Sequence, residues 1–404
     1  MRYLLVGAAA VMMLPAPGAA DESPPAIDGI TLTVTSVTST VDGSDQPVIV
    51  GVPESYDPGT PTPLLVGLHT WSADYRQRAL PYGRQAAERG WLLVLPNFRG
   101  PNRASNPDVT EAGGSLIAQA DIVDARAHML EHFSVDESRV YITGDSGGGH
   151  MTLLMAGKHP DLWAAAAAWV PVTDLREWWE LQSRYAADIV AVTGGEPGDS
   201  PEVDFEYARR SPRTFMTNLA HLPVLLGHGD RDASIPVEQS WRTFRELKDL
   251  PAHNTVLHVF SGGHTGRHTF GLDWCVEHAG SAAPVRELHL VTDESKAYYW
   301  AELTMADEEH LATADVVPGD GALSITTTNL EALALDLREQ PLPEGGMAIA
   351  MRSDLPLRLL LTGLPAGTHM ICEGDRAEVA EQSADRLVLL VEPAVEARTL
   401  TLTW

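Results

Sequence analysis

Short apolar runs alternate with stretches of helical spacing along the first two thirds of the chain, and the alternation stops near Pro284. Residues 30–40 are rich in Thr and Val and alternate, which predicts a strand with one exposed face. Asp42-Gly43 marks a turn and residues 47–52 read as the returning strand. Six apolar runs follow, at 63–68, 91–95, 139–143, 164–170, 223–226 and 255–260, each short enough to be a buried strand. Helices are predicted between them at 121–132, with Val123, Ala127 and Leu130 on one face, and at 147–158 and 236–250. Strands alternating with helices imply an α/β fold, a mostly parallel sheet with helices on both faces. Beyond Pro284 helical periodicity fades. Strand-like runs at 322–328, 332–337, 347–352, 357–362 and 386–391 are parted by turns such as Pro318-Gly319-Asp320-Gly321. This predicts a C-terminal all-β, sandwich-like domain.

Composition narrows the partners. The chain has 404 residues, 44% hydrophobic and 21% charged, which excludes collagenous and disordered classes. A formal net charge of −27 argues against nucleic acid and anionic membrane surfaces, which select cationic faces. Residues 1–20 carry Arg2, an apolar core and Gly18-Ala19-Ala20, the pattern of a signal peptide, so export to the periplasm or beyond is expected. No later apolar run is long enough for a transmembrane helix. The expected domains are residues 21–283, with a cap at about 172–212, and residues 284–404. Cys275 and Cys372 fall in different domains and are expected as buried free thiols, a bridge between domains being the alternative.

The chemistry concentrates at Gly144-Asp145-Ser146-Gly147-Gly148, a G-x-S-x-G that follows one predicted strand and opens a predicted helix. That setting is what a nucleophile elbow requires, because the sharp turn thrusts the hydroxyl out at the carboxyl edge of the sheet. A serine hydroxyl is a weak nucleophile and needs a base, which needs an orienting acid. Asp232 follows the strand at 223–226 and His264 follows the strand at 255–260, completing a Ser–Asp–His order. Asp230 competes for the acid role, but the placing of Ile235-Pro236 favours Asp232. An oxyanion hole needs two donors. The Gly147 amide is one, and the other comes from Thr70 or Trp71 in the loop after residue 68, between which spacing does not choose.

Together with Gly149-His150-Met151-Thr152, His159-Pro160-Asp161, His228-Gly229, Gly262-Gly263, Val135-Asp136, Arg139-Val140 and Asn97-Phe98-Arg99-Gly100, these motifs resemble the α/β-hydrolase superfamily. Within it they resemble the prolyl-oligopeptidase catalytic domain and related secreted esterases, over residues 45–280. The resemblance implies an α/β-hydrolase fold with Ser146 as nucleophile, Asp232 as acid and His264 as base, and calls for no cofactor. It departs from the peptidases at Gly149-His150, where they carry an aromatic, and at His69-Thr70-Trp71, where they carry His-Gly-Gly. Nor do the residues ahead of the first strand provide their β-propeller. These departures favour a carboxylesterase acting on small-molecule or carbohydrate-linked esters, with a peptidase acting on short peptides as the alternative.

Two further features admit more than one reading. The stretch between Pro171 and Pro212 holds Trp178 and Trp179, which with Trp71 either line a substrate pocket or pack helices together. Tyr298-Tyr299-Trp300 in the β domain fits a sandwich core better than a polysaccharide platform. His264 and His268 are four apart, but they lack the H-E-x-x-H carboxylate, so no metal is expected.

Overall fold

A computed structural model of the chain describes residues 23–181, 184–250, 254–280, 284–372 and 377–404; the expected signal segment lies outside them. The opening hairpin is β1 (Ile30–Thr38) and β2 (Asp45–Pro53), antiparallel with Val37 opposite Gln46. Then come β3 (Thr62–Leu68), α1 (Ala79–Arg89), β4 (Leu92–Pro96), α2 (Leu116–His132), β5 (Val135–Asp145), α3 (Gly147–Lys158) and β6 (Ala165–Trp169). After these run α4 (Leu175–Glu180), α5 (Ala186–Thr193), α6 (Pro201–Arg209), β7 (Val224–Gly229), α7 (Val237–Lys248), β8 (Thr255–Phe260) and α8 (His268–His278).

The eight strands form one sheet in the order β1-β2-β4-β3-β5-β6-β7-β8. From β4 onward neighbouring strands are parallel, and the hairpin is the antiparallel edge. Strands β3 to β6 are almost wholly apolar where they cross the sheet, because helices cover both faces. The parallel register brings Leu68 beside Gly144 and Gly229 beside Phe260, so the loops after β3, β5, β7 and β8 leave from one rim.

Two helices depart from what periodicity indicates. Helix α2 begins earlier, capped by Ser115, and buries Ala118, Ile122, Ala125 and Met129; Ala127, on the face predicted to be apolar, is exposed. The face was misread because α2 also buries charge, with Asp121 paired to Arg99 and Asp124 accepting from Thr40. Helix α1 gives little periodic signal: it packs through Ala79, Tyr82, Gly83 and Ala86, small residues around one ring.

Among the described residues, twelve strands between Leu288 and Thr403 form two six-stranded sheets. Leu290, Val316, Ile325 and Ile349 of one sheet share a core with Tyr298, Leu333, Leu359 and Leu389 of the other. Tyr298 is fully buried there, and the Trp300 indole donates to Val285 O at 2.9 Å. This region docks on the end of α3 farthest from the rim. Lys158 and Asp293 are completely buried and 2.6 Å apart, Arg209 reaches the same carboxylate at 2.9 Å, and Asn218 bonds the backbone of Val291. No described helix is long and apolar enough to cross a membrane. Cys275 is a buried free thiol, which matches expectation; the Cys372 side chain lies outside the described residues.

Candidate active site

Ser146 stands between the end of β5 and the start of α3 with φ 55° and ψ −119°, a conformation that L residues rarely adopt. Two backbone bonds hold it there. Its amide donates to Trp169 O at 2.9 Å, and its carbonyl accepts from His150 N at 2.8 Å. Glycine makes this turn feasible. At Gly144 a Cβ would press on the Gly148 carbonyl, and at Gly147 it would press on the amide nitrogen and Cα of Trp71. Packing therefore brings the Trp71 backbone against the first residue of α3, beside Ser146.

The loop carrying Trp71 is fixed from behind. The buried His69 ring stacks on Phe98 at 3.8 Å, and its nitrogens meet Thr70 O at 2.9 Å and Asn97 O at 2.6 Å. Thr70 and Trp71 then separate. The Thr70 amide donates to Gln77 Oε1 at 2.9 Å, and the Thr70 hydroxyl accepts from Gln77 Nε2, so that amide is already engaged.

Asp232 and His264 meet directly. His264 Nδ1 lies 2.7 Å from Asp232 Oδ2. An imidazole that donates from Nδ1 keeps its lone pair on Nε2. The other carboxylate oxygen accepts from the amides of Ser234 and Ile235 at 2.8 and 3.0 Å. Burial pushes the Asp232 carboxyl up, but His228, His264 and those two amides more than reverse it, leaving it well below the usual carboxylate range. His228 is engaged at both nitrogens, with Ser240 Oγ at 2.8 Å and Ile235 O at 2.9 Å. Asp230 points elsewhere and accepts from the Gly262 amide at 3.0 Å, tying the loop after β7 to the loop after β8.

Trp71 and the aromatics of the stretch expected to form a cap pack on one another. Trp71 and Trp178 are both buried, 5.1 Å apart and edge to face, with Val172, Leu175, Ile189, Tyr207 and Ile235 around them. Trp179 is half-buried at the margin of this cluster. In this stretch the described residues form three helices, α4 to α6.

His268 opens α8 and is not on a common helix with His264; among the described residues no cluster of His, Cys, Asp and Glu is arranged to hold a metal. Instead His268 faces Asp145, which also pairs with Arg78. Sequence reading missed this cluster. Its one signal was an acidic residue ending the buried stretch 140–145 of β5.

Comparison with known proteins agrees with this fold. Residues 83–277 match the model of the prolyl oligopeptidase family. The chain is 30% identical over 182 residues to an uncharacterized peptidase, YtmA, of Bacillus subtilis, covering 44% of this chain and 68% of that one. It is 32% identical over 114 residues to an acetylxylan esterase of Coprinopsis cinerea, covering 26% of this chain and 30% of that one. A puromycin-hydrolyzing peptidase of Mycobacterium tuberculosis has a similar fold, with a TM-score of 0.51 at 19% identity over 61% of this chain and 39% of that one. The chain thus spans about two thirds of the Bacillus protein and well under half of the other two.

Proposed function

The chain belongs to the prolyl oligopeptidase family of α/β-hydrolases, and from that premise we propose that it is an exported serine hydrolase working through an acyl-enzyme on Ser146. The observation that carries this is the Asp232–His264 pair at 2.7 Å, on the rim where Ser146 is held at positive φ. In the proposed cycle Ser146 Oγ attacks an acyl carbonyl as His264 Nε2 accepts its proton. Asp232 holds the imidazole in the productive tautomer and stabilises the cation that forms. The developing oxyanion is met by the amides of Gly147 and Trp71; the Thr70 amide is excluded because Gln77 already occupies it. The proton returns to the leaving group, and water, activated by the same imidazole, releases the acid.

The substrate we propose is an ester, with a carbohydrate-linked ester the favoured class. Support comes from the similarity to an acetylxylan esterase. The peptidase reading is supported by the similarity to YtmA, which covers more of the chain. Rates on p-nitrophenyl acetate, feruloyl esters and acetylated xylan, compared with dipeptidyl and aminoacyl p-nitroanilides, separate the two. Ester hydrolysis should dominate and should vanish in Ser146→Ala; faster anilide cleavage would reverse the assignment.

A further inference from the structure

Under the same rim, behind the Asp232–His264 pair, lies a second polar cluster whose hub is Asp145. Its carboxylate is only 6% exposed and immediately precedes Ser146. Arg78 forms an ion pair with it from the segment that leads from the Trp71 loop into α1. His268, four residues beyond His264, brings Nε2 to 3.4 Å from Asp145 Oδ1. Between those histidines Gly266 rests on the carboxylate: a Cβ there would come to 2.5 Å from Oδ1. One carboxylate therefore touches the three segments that carry the proposed nucleophile, base and oxyanion amide.

The cluster is incompletely satisfied. Asp145 Oδ1, His268 Nδ1, Arg78 Nε and the neighbouring Trp169 Nε1 are buried without a hydrogen-bond partner. Tyr82 closes the side, its ring edge-on to His268 at 5.0 Å. Buried polar atoms left without partners are uncommon in folded proteins, and each calls for an explanation.

We propose that Asp145 is a positioning residue. It latches the Arg78 and His268 segments to the elbow so that the Trp71 amide and His264 Nε2 converge on Ser146 Oγ. This rests on the serine-hydrolase reading above. A latch of this kind acts on the alignment of reacting groups and not on substrate affinity, so its loss lowers kcat and leaves KM nearly unchanged.

The test is steady-state hydrolysis of p-nitrophenyl acetate by the full chain, with thermal melting of each variant and Ser146→Ala as reference. Asp145→Asn and Arg78→Met should lower kcat by about 10- to 100-fold, with KM within about threefold. Arg78→Lys, which keeps a cation beside the carboxylate, should retain at least about a third of the wild-type kcat. Asp145→Asn/His268→Gln should be within about threefold of Asp145→Asn alone, because members of one unit do not add. An unchanged kcat per folded molecule in Asp145→Asn, or equal activity in Arg78→Lys and Arg78→Met, overturns the latch. Should Asp145→Asn not fold, the two Arg78 variants decide by the same criterion. A fully active Ser146→Ala defeats the hydrolase reading and the latch together. An inactive Ser146→Ala beside a wild-type Asp145→Asn defeats the latch alone.

Discussion

Asp232 at the sheet rim and Asp293 at the far end of α3 both have side chains wholly withdrawn from water, and they are held in opposite ways. Asp293 is neutralised by two fixed cations, Lys158 at 2.6 Å and Arg209 at 2.9 Å. Among the described residues Asp232 has no such cation; its partners are two backbone amides, His264 at 2.7 Å and His228 at 3.4 Å. In both, burial pushes the carboxyl up and the partners pull it below its ordinary range. The difference lies in what the partners are free to do. A lysine and an arginine clamp a joint, whereas an imidazole holding a carboxylate at one nitrogen presents the other for proton transfer. One helix, α3, connects the two, with Ser146 at its start and Lys158 at its end.

The comparison breaks most visibly in activity. Asp232→Asn should lower kcat/KM on a cleaved ester by about 10⁴-fold, measured by steady-state kinetics, because the imidazole loses its orienting charge. Lys158→Met should do the reverse. It should cost about 3–5 kcal/mol of stability in chemical unfolding by leaving buried charge uncompensated, with kcat per folded molecule changed by less than about threefold. If Lys158→Met instead abolished activity in a fully folded protein, the joint would belong to the chemistry.

Acid sharpens the contrast. Both carboxyls sit below their ordinary range when folded, so the unfolded chain binds more protons at low pH. Their contribution is complete above the ordinary carboxylate range, near about pH 4. It is lost as pH falls through the depressed native values. Melting followed from pH 6 down to 2.5 should show that loss in the wild type and a shallower one in Asp232→Asn. The smallest effect belongs to Asp230→Asn. Two residues from Asp232 but bonded to the Gly262 amide of the neighbouring loop and paired with the exposed Arg231, it should change kcat/KM by less than about threefold in the same assay.

What was legible in the chain follows from how local each signal is. The six strands, the edge hairpin and α3 were readable because each is encoded in a run of adjacent residues, although the run at 255–260, expected to be buried, is the edge strand β8 with Val256 and Val259 exposed. Asp232 was separable from Asp230 by its distance to Ile235-Pro236, and the structure shows the reason: its carboxylate accepts from the amides of Ser234 and Ile235. The choice between Thr70 and Trp71 was not readable, since it depends on Gln77 folding back from the next turn. Nor were the Arg78–Asp145–His268 cluster and the Lys158–Asp293 joint, whose members come from distant segments and carry no mark of their partners. Helix α2 was misjudged because buried Asp121 and Asp124 look like a solvent face until Arg99 and Thr40 are in place.

The central claim is that Ser146, His264 and Asp232 act as one unit at the rim, and covalent labelling tests it most directly. Intact-mass spectrometry after treatment with a fluorophosphonate should show a single adduct, mapped by peptide sequencing to Ser146. The adduct should be absent in Ser146→Ala and should form at least about 100-fold more slowly in His264→Ala. Undiminished labelling of Ser146→Ala, or an unchanged rate in His264→Ala, would contradict the account.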